Sequence, residues 1–379
     1  MTDTGIPRTL VVTNDFPPRI GGVQQYVRSL VGEFPADAVT VLAPRWDGWR
    51  EHDGSLPFRV VRYPAKVVLP VREARERVLS LAREIDAEVA LLASGFPSSG
   101  FGAGLATAGV PHVVITHGVE YWLARVPGTA QVMGRSMSRA SRVTVLSDFI
   151  LRKVRPKVPE HVPVSLCPPG VDLDRFHPGV SGDEVRRRHG LSDRPLIVCV
   201  SRLVPRKGQD VLIRSMTAIR RHQPDAALLI VGDGSFRAKL ESMTREAPTG
   251  SVVFAGAVPD AALPEYHAAA DVFAMPCRSR WGGLEVEGFG IVFMEAASSG
   301  RAAVAGDSGG SAEAVLDGET GMVVNGRDQD GVAGAIGACL ADPEMSATLG
   351  KAGRARAEER FGWPEIASRV AGYLKEAAG

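Results

Sequence analysis

The feature of this sequence that most constrains its fold is the alternation of short β-branched runs with segments of helical periodicity. Between these runs, apolar residues recur at helical spacing, as at Val23, Val27 and Leu30, or turn residues accumulate. Strands that alternate with helices form parallel sheets with helices on both faces. The first half of the chain therefore predicts a doubly wound α/β domain, with strands near 8–14, 38–43, 58–63, 88–94, 112–118 and 142–147.

The alternation stops at 167–179, where Pro, Gly and Asp residues follow one another without periodicity, and then begins again. A chain of 379 residues is long enough for two domains, each with its own core. We predict an acceptor-side domain at 1–168 and a donor-binding domain at 169–362. We also expect the last helix, 363–379, which is interrupted at Trp363-Pro364, to pack on the first domain. Strands of the second domain are predicted in 195–201, 226–232, 251–256, 266–276, 302–307 and 322–324.

Composition excludes several classes of protein. Hydrophobic residues make up 45% of the chain and charged residues 23%, which is typical of folded globular proteins, and the net charge of +1 does not favour a nucleic-acid partner. The four cysteines are too scattered for a zinc site. The chain has no long apolar stretch and no apolar signal region at its start. We expect a cytoplasmic protein with reduced thiols and no resident metal.

Two loops between a predicted strand and a predicted helix carry candidate anion sites. In the first, 14–22, Gly21 and Gly22 leave backbone N–H groups open to an anion, although a tight turn without a ligand explains them equally well. The second, SRLVPRKGQD at 201–210, places three cations before a helix, against the helix dipole. That arrangement favours a phosphate ligand over a solvated basic loop.

A third segment, EVEGFGIVFMEA at 285–296, sets two carboxylates in an apolar run. Gly288 and Gly290 permit close backbone approach, and the residues after them predict a helix whose N-terminus faces a ligand. Glu287 would precede this helix and Glu295 would lie about two turns into it, near the same face. Sugar hydroxyls would be suitable partners for these carboxylates. Capping of the helix dipole by Glu287 and a salt bridge at Glu295 are the alternative.

Two further motifs allow two explanations each. His117 ends a predicted strand, where a histidine contacts a ligand or serves a structural role. Asp172 and Asp174 form a D-x-D that would suit a metal-bound diphosphate, but their Pro/Gly-rich surroundings favour turn chemistry.

Together, the motifs NDFPPRIGG, THGVE, SRLVPRKGQD and EGFGIVFMEA resemble those of the retaining glycosyltransferases of family 4. That family has the GT-B fold, two Rossmann-like doubly wound domains that face a central cleft. The closer likeness, in NDFPPRIGGVQQY, ALLIVGDG and GGLEVEGFGIVFMEA, is to the actinobacterial PimB-type mannosyltransferases. These move mannose from GDP-mannose onto phosphatidylinositol monomannoside, and the resemblance covers nearly the whole chain.

The resemblance implies a role for each matching residue. Arg202 and Lys207 match the pair that holds the donor diphosphate, and Gly22 matches a loop glycine that faces it. Glu295 matches the glutamate that binds the ribose, and Glu287 the one beside the transferred sugar. His117 matches a contact to the donor hexose, Val258 a contact to the base, and Asp15 a position on the acceptor side. The backbone implied to face the phosphates and the sugar is that of Gly288, Phe289, Gly290, Ile291 and Val292.

The resemblance also implies chemistry, in which the departing phosphate accepts the acceptor's proton on the front face of the sugar and no protein nucleophile is needed. One departure concerns the acceptor, because many relatives have HGHE where this chain has His117-Gly118-Val119-Glu120. This departure bears on the acceptor more than on the donor, and we expect a lipid or a small molecule as acceptor. Basic residues that would approach an anionic membrane, or form solvated helix faces, are Arg135, Arg139, Arg142, Arg152, Lys153, Arg155 and Lys157.

Three competing functions remain. A related glycosyltransferase would use another sugar nucleotide or a soluble acceptor, such as a natural product or a sugar phosphate. A sugar-nucleotide epimerase of the same fold would isomerise the donor without an acceptor, and the two glutamates with seven residues between them argue against it. A non-catalytic protein that binds a nucleotide sugar would not need all of the matched charged residues.

Overall fold

The computed structural model describes residues 5–19, 21–126 and 128–379, without the side chain of Val119. The chain divides into two compact units, Met1–Gly170 with Trp363–Gly379, and Val171–Gly362. The borders predicted from the sequence are 168/169 and 362/363, and the acceptor-side and donor-binding roles of the two domains stay predictions.

The first unit is a parallel α/β structure. Its strands are β1 Thr9–Val12, β2 Val39–Pro44, β3 Arg59–Tyr63, β4 Val89–Leu92, β5 His112–Ile115, β6 Arg142–Val145 and β7 Val164–Leu166. Its helices are α1 Gly22–Gly32, α2 Trp49–Gly54, α3 Arg72–Glu84, α4 Gly102–Thr107, α5 Val119–Leu123, α6 Thr129–Met137, α7 Asp148–Val154 and, from the end of the chain, the helix Trp363–Ala378. The described strands pair in parallel in the order β3-β2-β1-β4-β5-β6-β7.

The core of this unit lies along the central strands, since every residue of β1, β4 and β5 is buried. Strands covered on both faces read as continuous apolar runs, which is why these segments were recognisable. The helix Trp363–Ala378 buries one face, including Ile366 and Leu374, and contacts α1, β4 and β5. It begins anew at Trp363, as the proline at 364 predicts.

The second unit has the same organisation. Its strands are β8 Leu196–Val200, β9 Ala227–Val231, β10 Val252–Gly256, β11 Val272–Met275, β12 Ala302–Gly306 and β13 Gly321–Val324. Its helices are α8 Asp183–Arg188, α9 Gln209–Ile219, α10 Arg237–Met243, α11 Leu263–Ala268, α12 Ile291–Ser298, α13 Ser311–Ala314, α14 Gln329–Ala341 and α15 Pro343–Arg360; the helix Trp363–Ala378 of the first unit is α16. The strand order is β10-β9-β8-β11-β12-β13, again all parallel.

The predicted fold class is confirmed, because both units are parallel sheets with helices packed on them. The loops that follow the neighbouring strands β8 and β11 leave the second sheet at the same edge. In the first unit, the loops after β1 and β5, the two strands that flank β4, also leave their sheet at one edge. Ligands of doubly wound folds bind at this carboxyl edge. None of the described helices is long and apolar enough to span a membrane. The four cysteines are buried and free.

Candidate functional site

The loop after β8 holds Lys207 in a buried position. It contains a 3-10 turn, Pro205–Lys207, and Gly208, which directly precedes α9, has a φ of 81°. A β-carbon on Gly208 would lie 2.0 Å from the carbonyl oxygen of Pro276, so only glycine fits at this turn. The close packing of Gly208 fixes the preceding residue, and Lys207 is only 8% exposed.

Lys207 is paired with Glu287. The Nζ atom of Lys207 lies 2.8 Å from Oε2 of Glu287, and the guanidinium of Arg206 donates to the same oxygen. The Glu287 backbone is also held, since its N–H donates to the Ser308 hydroxyl at 3.2 Å and its carbonyl accepts the Gly310 N–H at 3.0 Å. Two cations and one carboxylate thus form a fixed cluster at the carboxyl edge of the second sheet.

The electrostatics of this cluster fix the charge of Glu287. Burial alone would raise the pKa of Glu287, but Lys207 and Arg206 outweigh burial and hold that pKa at about 2. Glu287 is therefore ionised at neutral pH, where it accepts hydrogen bonds and has no proton to donate. The cluster still carries one net positive charge, which suits an anionic ligand.

Arg202 lies in the same loop, but its surroundings differ. Arg202 is exposed, whereas Lys207 is buried. Within the described part of the chain its guanidinium makes no ion pair, and its carbonyl accepts a hydrogen bond from Gln209 at 3.0 Å. The structure thus separates the three cations of this loop into one that faces solvent and two that neutralise Glu287.

Glu295 has a protein partner of its own. Its Oε2 accepts a hydrogen bond from Nε2 of His267 at 3.1 Å, and the His267 side chain is fully buried. The ring of His267 packs against Phe176 and Phe273, with ring centroids 5.6 and 5.2 Å away. These contacts fix the imidazole, which in turn orients the carboxylate.

The predicted depth of Glu295 in its helix is wrong. The helix α12 begins at Ile291, so Glu295 is its fifth residue, a little over one turn from the start. Gly290 precedes the helix with a φ of 91°, which ends any helical continuation back to Glu287. The two carboxylates therefore do not share a helix face, and each is held by a different neighbour.

The segment between the two carboxylates has the predicted form of a helix N-terminus. A β-carbon on Gly290 would lie 2.6 Å from the ring of Phe293, so this residue cannot carry a side chain in place. Phe289 is buried with its ring 5.6 Å from that of Phe361, whereas Ile291 and Val292 remain half-buried. Val258 is also half-buried, in the loop after β10.

In the first unit, Asp15 and Gly22 lie at the carboxyl end of β1. Gln24 donates to Oδ1 of Asp15 at 2.6 Å, and burial raises the pKa of Asp15 although Arg19 opposes this. A β-carbon on Gly22 would meet no described atom within 4 Å, so packing does not explain this glycine. Of the predicted anion loop 14–22, Ile20 lies outside the described residues.

His117 follows β5 at the same edge of the first sheet. Its ring lies 4.8 Å from that of Tyr26, and its Nε2 is 3.2 Å from the carbonyl oxygen of Ala93. Burial lowers the pKa of His117 to about 4, although this hydrogen bond partly opposes the shift, so the ring is neutral at pH 7. Because a carbonyl only accepts, Nε2 carries the proton and Nδ1 is left as an acceptor.

Three residues that organise these sites make contacts that the sequence did not predict. Arg206 shares Glu287, His267 holds Glu295, and Glu120 accepts the backbone N–H groups of Gly95 at 2.7 Å and His117 at 3.0 Å. Arg206 was predicted only as one of the three cations of the loop 201–210, Glu120 stands three residues after His117 in its motif, and His267 had no local signal. The side chain of Val119, where many relatives carry histidine, lies outside the described residues.

The D-x-D motif forms a turn. One carboxylate oxygen of Asp172 accepts the backbone N–H groups of Asp174 at 3.2 Å and Arg175 at 3.0 Å. No group of three or more His, Cys, Asp or Glu side chains with metal-binding geometry occurs in residues 5–19, 21–126 and 128–379. The absence of a metal requirement stays a prediction.

A doubly wound domain with a buried cation–carboxylate cluster and a glycine-preceded helix at its carboxyl edge has the features of a protein that binds a phosphate-bearing ligand such as a nucleotide. Known proteins with similar sequences narrow this class. Residues 182–356 match the family model "Glycosyl transferases group 1", and residues 20–175 match "Glycosyltransferase Family 4". The chain belongs to glycosyltransferase family 4.

Two relatives match over nearly the full length. The chain is 42% identical to a GDP-mannose-dependent alpha-(1-6)-phosphatidylinositol monomannoside mannosyltransferase of Mycolicibacterium smegmatis, covering 96% of this chain and 97% of the relative. It is 36% identical to a GDP-mannose-dependent monoacylated alpha-(1-6)-phosphatidylinositol monomannoside mannosyltransferase of Corynebacterium glutamicum, covering 97% and 98%. The resemblance to PimB-type mannosyltransferases is therefore confirmed.

A solved structure supports the fold. The Anabaena protein Alr3699/HepE, crystallised with UDP, superposes with a TM-score of 0.83 over 97% of this chain and 100% of that one. Its sequence identity is 21%, so this likeness bears on the fold alone.

Proposed function

We propose that this chain is a retaining mannosyltransferase that moves mannose from GDP-mannose onto a phosphatidylinositol mannoside with an α linkage. The observation that carries this proposal is the cluster of Lys207, Arg206 and Glu287 beside the exposed Arg202, in a chain 42% identical to such an enzyme over nearly its full length. The charge supports a donor with a diphosphate, and the sequence similarity supports GDP-mannose.

In this proposal the second unit holds the donor. The guanidinium of Arg202 and the ammonium of Lys207 contact the diphosphate, which gains negative charge as the glycosidic bond breaks. Because these contacts become stronger as the charge develops, they stabilise the transition state and lower the activation barrier of the transfer. The backbone N–H groups at the start of α12 add to them, Glu295 binds the ribose hydroxyls, and Val258 faces the base.

Glu287 is the proposed sugar contact of the second unit, and in the first unit the resemblance assigns a hexose contact to His117. Glu287 is ionised and accepts hydrogen bonds from sugar hydroxyls, while its pairing with Lys207 keeps that cation beside the phosphates. His117 is neutral at pH 7 and offers Nδ1 to another hydroxyl. The bond from the mannose anomeric carbon to the phosphate oxygen breaks, the bond to the acceptor oxygen forms on the same face, and the acceptor's proton passes to the departing phosphate.

A lipid acceptor is supported by an apolar segment in the first unit. Val67, Leu69 and Val71 are each about half exposed, whereas Val68 between them is fully buried. Both backbone groups of Val68 are fixed by Asn14, whose side-chain oxygen accepts at 2.6 Å and whose amide donates at 3.1 Å. Because Asn14 precedes Asp15, this segment lies beside the proposed acceptor residue, and we propose that it touches the membrane surface.

Three of the seven basic residues considered for membrane contact have hydrogen-bond partners within the protein. Arg142 donates to Glu376 and Ser165, and Arg155 donates to four backbone carbonyls between residues 158 and 162. Arg139 donates to Thr107. The apolar segment is therefore a better candidate than these arginines.

The membrane proposal predicts that the triple variant Val67→Asp, Leu69→Asp, Val71→Asp binds vesicles at least tenfold more weakly than wild type. Three carboxylates would remove apolar contacts and repel anionic headgroups. The measurement is sedimentation with vesicles of phosphatidylcholine and phosphatidylinositol. Val132→Asp, a substitution of another half-exposed valine in the same unit, is the control and is expected to bind as wild type.

Unchanged sedimentation of the triple variant would contradict the membrane role of this segment. No binding by wild type, together with turnover of soluble acceptors, would instead favour the alternative in which the acceptor is a natural product or a sugar phosphate.

The donor is tested by isothermal titration with GDP, UDP and ADP, followed by a transfer assay with GDP-mannose and a phosphatidylinositol monomannoside. We expect GDP to bind at least tenfold more tightly than the other two, and labelled mannose to appear in the lipid fraction. A preference for UDP or ADP would refute GDP-mannose as the donor. Isomerised sugar nucleotide in the absence of acceptor would favour an epimerase.

A further inference from the structure

The second unit contains a cavity that the proposed donor contacts do not use. It has a volume of about 450 Å³ and lies between the loop after β8, the start of α9 and the residues that follow β11 and β13. Its charged walls come from Arg214, Arg278, Arg280, Arg327 and Asp210, and Phe236 is part of its apolar wall. None of these residues matches a donor contact.

The cavity has an excess of positive charge. Asp210 is its single carboxylate and already accepts from Arg278 at 2.9 Å and Arg214 at 3.2 Å. Arg280 pairs at 3.1 Å with Glu285, which is also 3.7 Å from Arg206 and so is shared. The exposed Arg327 donates to the carbonyl oxygen of Ser279. Four arginines and one carboxylate thus line the cavity, and Glu285, outside the lining, offsets part of the charge of Arg280.

Such an excess favours an anionic ligand, because guanidinium groups held near one another repel unless an anion lies between them. Arginine binds phosphate through two parallel N–H bonds, and four arginines from three separate segments suit a phosphoryl group with several oxygens. The volume lies within the range of about 300–1,000 Å³ of small-molecule sites. Phe236 and Val211 offer an apolar surface beside the charges.

We infer that this cavity is a second anion site, which binds a phosphoryl-bearing ligand separately from the sugar-nucleotide donor. The ligand is a soluble phosphorylated molecule or a phosphorylated lipid headgroup, which share the same chemistry. The site also contacts the donor loop, because the Arg278 N–H donates to the Arg206 carbonyl at 2.8 Å and Glu285 lies between Arg280 and Arg206. A ligand in this cavity would therefore contact residues that are bonded to the loop containing Lys207.

The test is isothermal titration of inorganic pyrophosphate into the full-length protein, with and without saturating GDP. We expect one pyrophosphate to bind in the presence of GDP. The double variant Arg214→Gln, Arg327→Gln is expected to weaken this binding at least tenfold while GDP binding stays unchanged. Asp210 keeps its ion pair with Arg278 in this variant, so the substitutions leave no unpaired carboxylate in the wall. Arg245→Gln, which replaces an exposed arginine of the same unit outside the cavity, is the matched control.

Two results would overturn the inference: GDP that abolishes pyrophosphate binding, which would make the cavity part of the donor site, or binding that the double variant leaves intact. If GDP fails to bind, the donor proposal is refuted. The comparison of pyrophosphate binding between wild type and the double variant still tests whether the cavity binds an anion. The source of the ligand follows from sedimentation with phosphatidylinositol 4-phosphate vesicles. Loss of vesicle binding in the double variant supports a lipid headgroup, and unchanged vesicle binding with weakened pyrophosphate binding supports a soluble ligand.

Discussion

The variant Glu287→Gln is expected to lower the rate of mannose transfer by at least about 100-fold. The carboxylate holds Lys207 at 2.8 Å and also binds Arg206, and an amide cannot neutralise either cation. Both cations would move from their positions, and a misplacement of about 1 Å in a reacting site costs roughly 100-fold in rate. The measurement is transfer of labelled mannose from GDP-mannose to a phosphatidylinositol monomannoside.

The same variant is expected to lower the free energy of unfolding, by about 3–5 kcal/mol if the cations stay buried without a partner. Because the pKa of Glu287 is held at about 2, below the usual value of 4.5, its contribution to stability is present above pH 4.5 and is lost as the pH falls towards 2. The difference in stability between wild type and Glu287→Gln, measured by urea unfolding, should therefore shrink as the pH falls over that range.

Glu285→Gln is the matched control, because it removes a carboxylate two residues away that contacts Arg206 and Arg280 but not Lys207. We expect its transfer rate to stay within a few-fold of wild type. An unchanged rate in Glu287→Gln would refute the proposed role. A loss of GDP binding equal to the loss of rate would mean that Glu287 only positions the loop and does not contact the sugar.

The fold was largely predictable, because buried parallel strands leave a signal in local sequence. The strands β1, β4 and β8 are short continuous apolar runs, and their residues are buried throughout. The strand β7, Val164–Leu166, was missed, since it has three half-buried residues and a serine at its centre. So short a run cannot be distinguished from a loop without its partner β6.

The candidate site was predictable as a set of residues but not as a set of contacts. Lys207 and Glu287 stand 80 positions apart, and their pairing depends on the adjacency of β8 and β11 in the sheet, which no local spacing encodes. The contact of His267 with Glu295 likewise joins α11 to α12. The sequence suggested sugar hydroxyls as partners of the two glutamates. In the structure, Glu287 is paired with Lys207 and Glu295 is hydrogen-bonded to His267.

Arg202 and Lys207 differ in burial and pairing, so substitutions at the two residues can distinguish an effect on GDP binding from an effect on the stability of the fold. Arg202 is exposed and makes no ion pair with a described residue, so Arg202→Ala should leave the unfolding transition unchanged. It should weaken GDP binding by about 10- to 100-fold, since hydrogen bonds between charged groups contribute about 1.5–3 kcal/mol. Lys207→Ala should lower both GDP affinity and stability, because Glu287 would lose one of its two cations.

Isothermal titration with GDP and urea unfolding of both variants measure this separation. Arg202→Lys keeps the charge but loses the planar fork, and we expect GDP affinity between those of wild type and Arg202→Ala. Arg245→Ala, an exposed arginine of the same unit, should match wild type in both measurements. If Arg202→Ala bound GDP as wild type does, the diphosphate would rest on Lys207 and the helix N-terminus, and the exposed arginine would have no part in holding the donor.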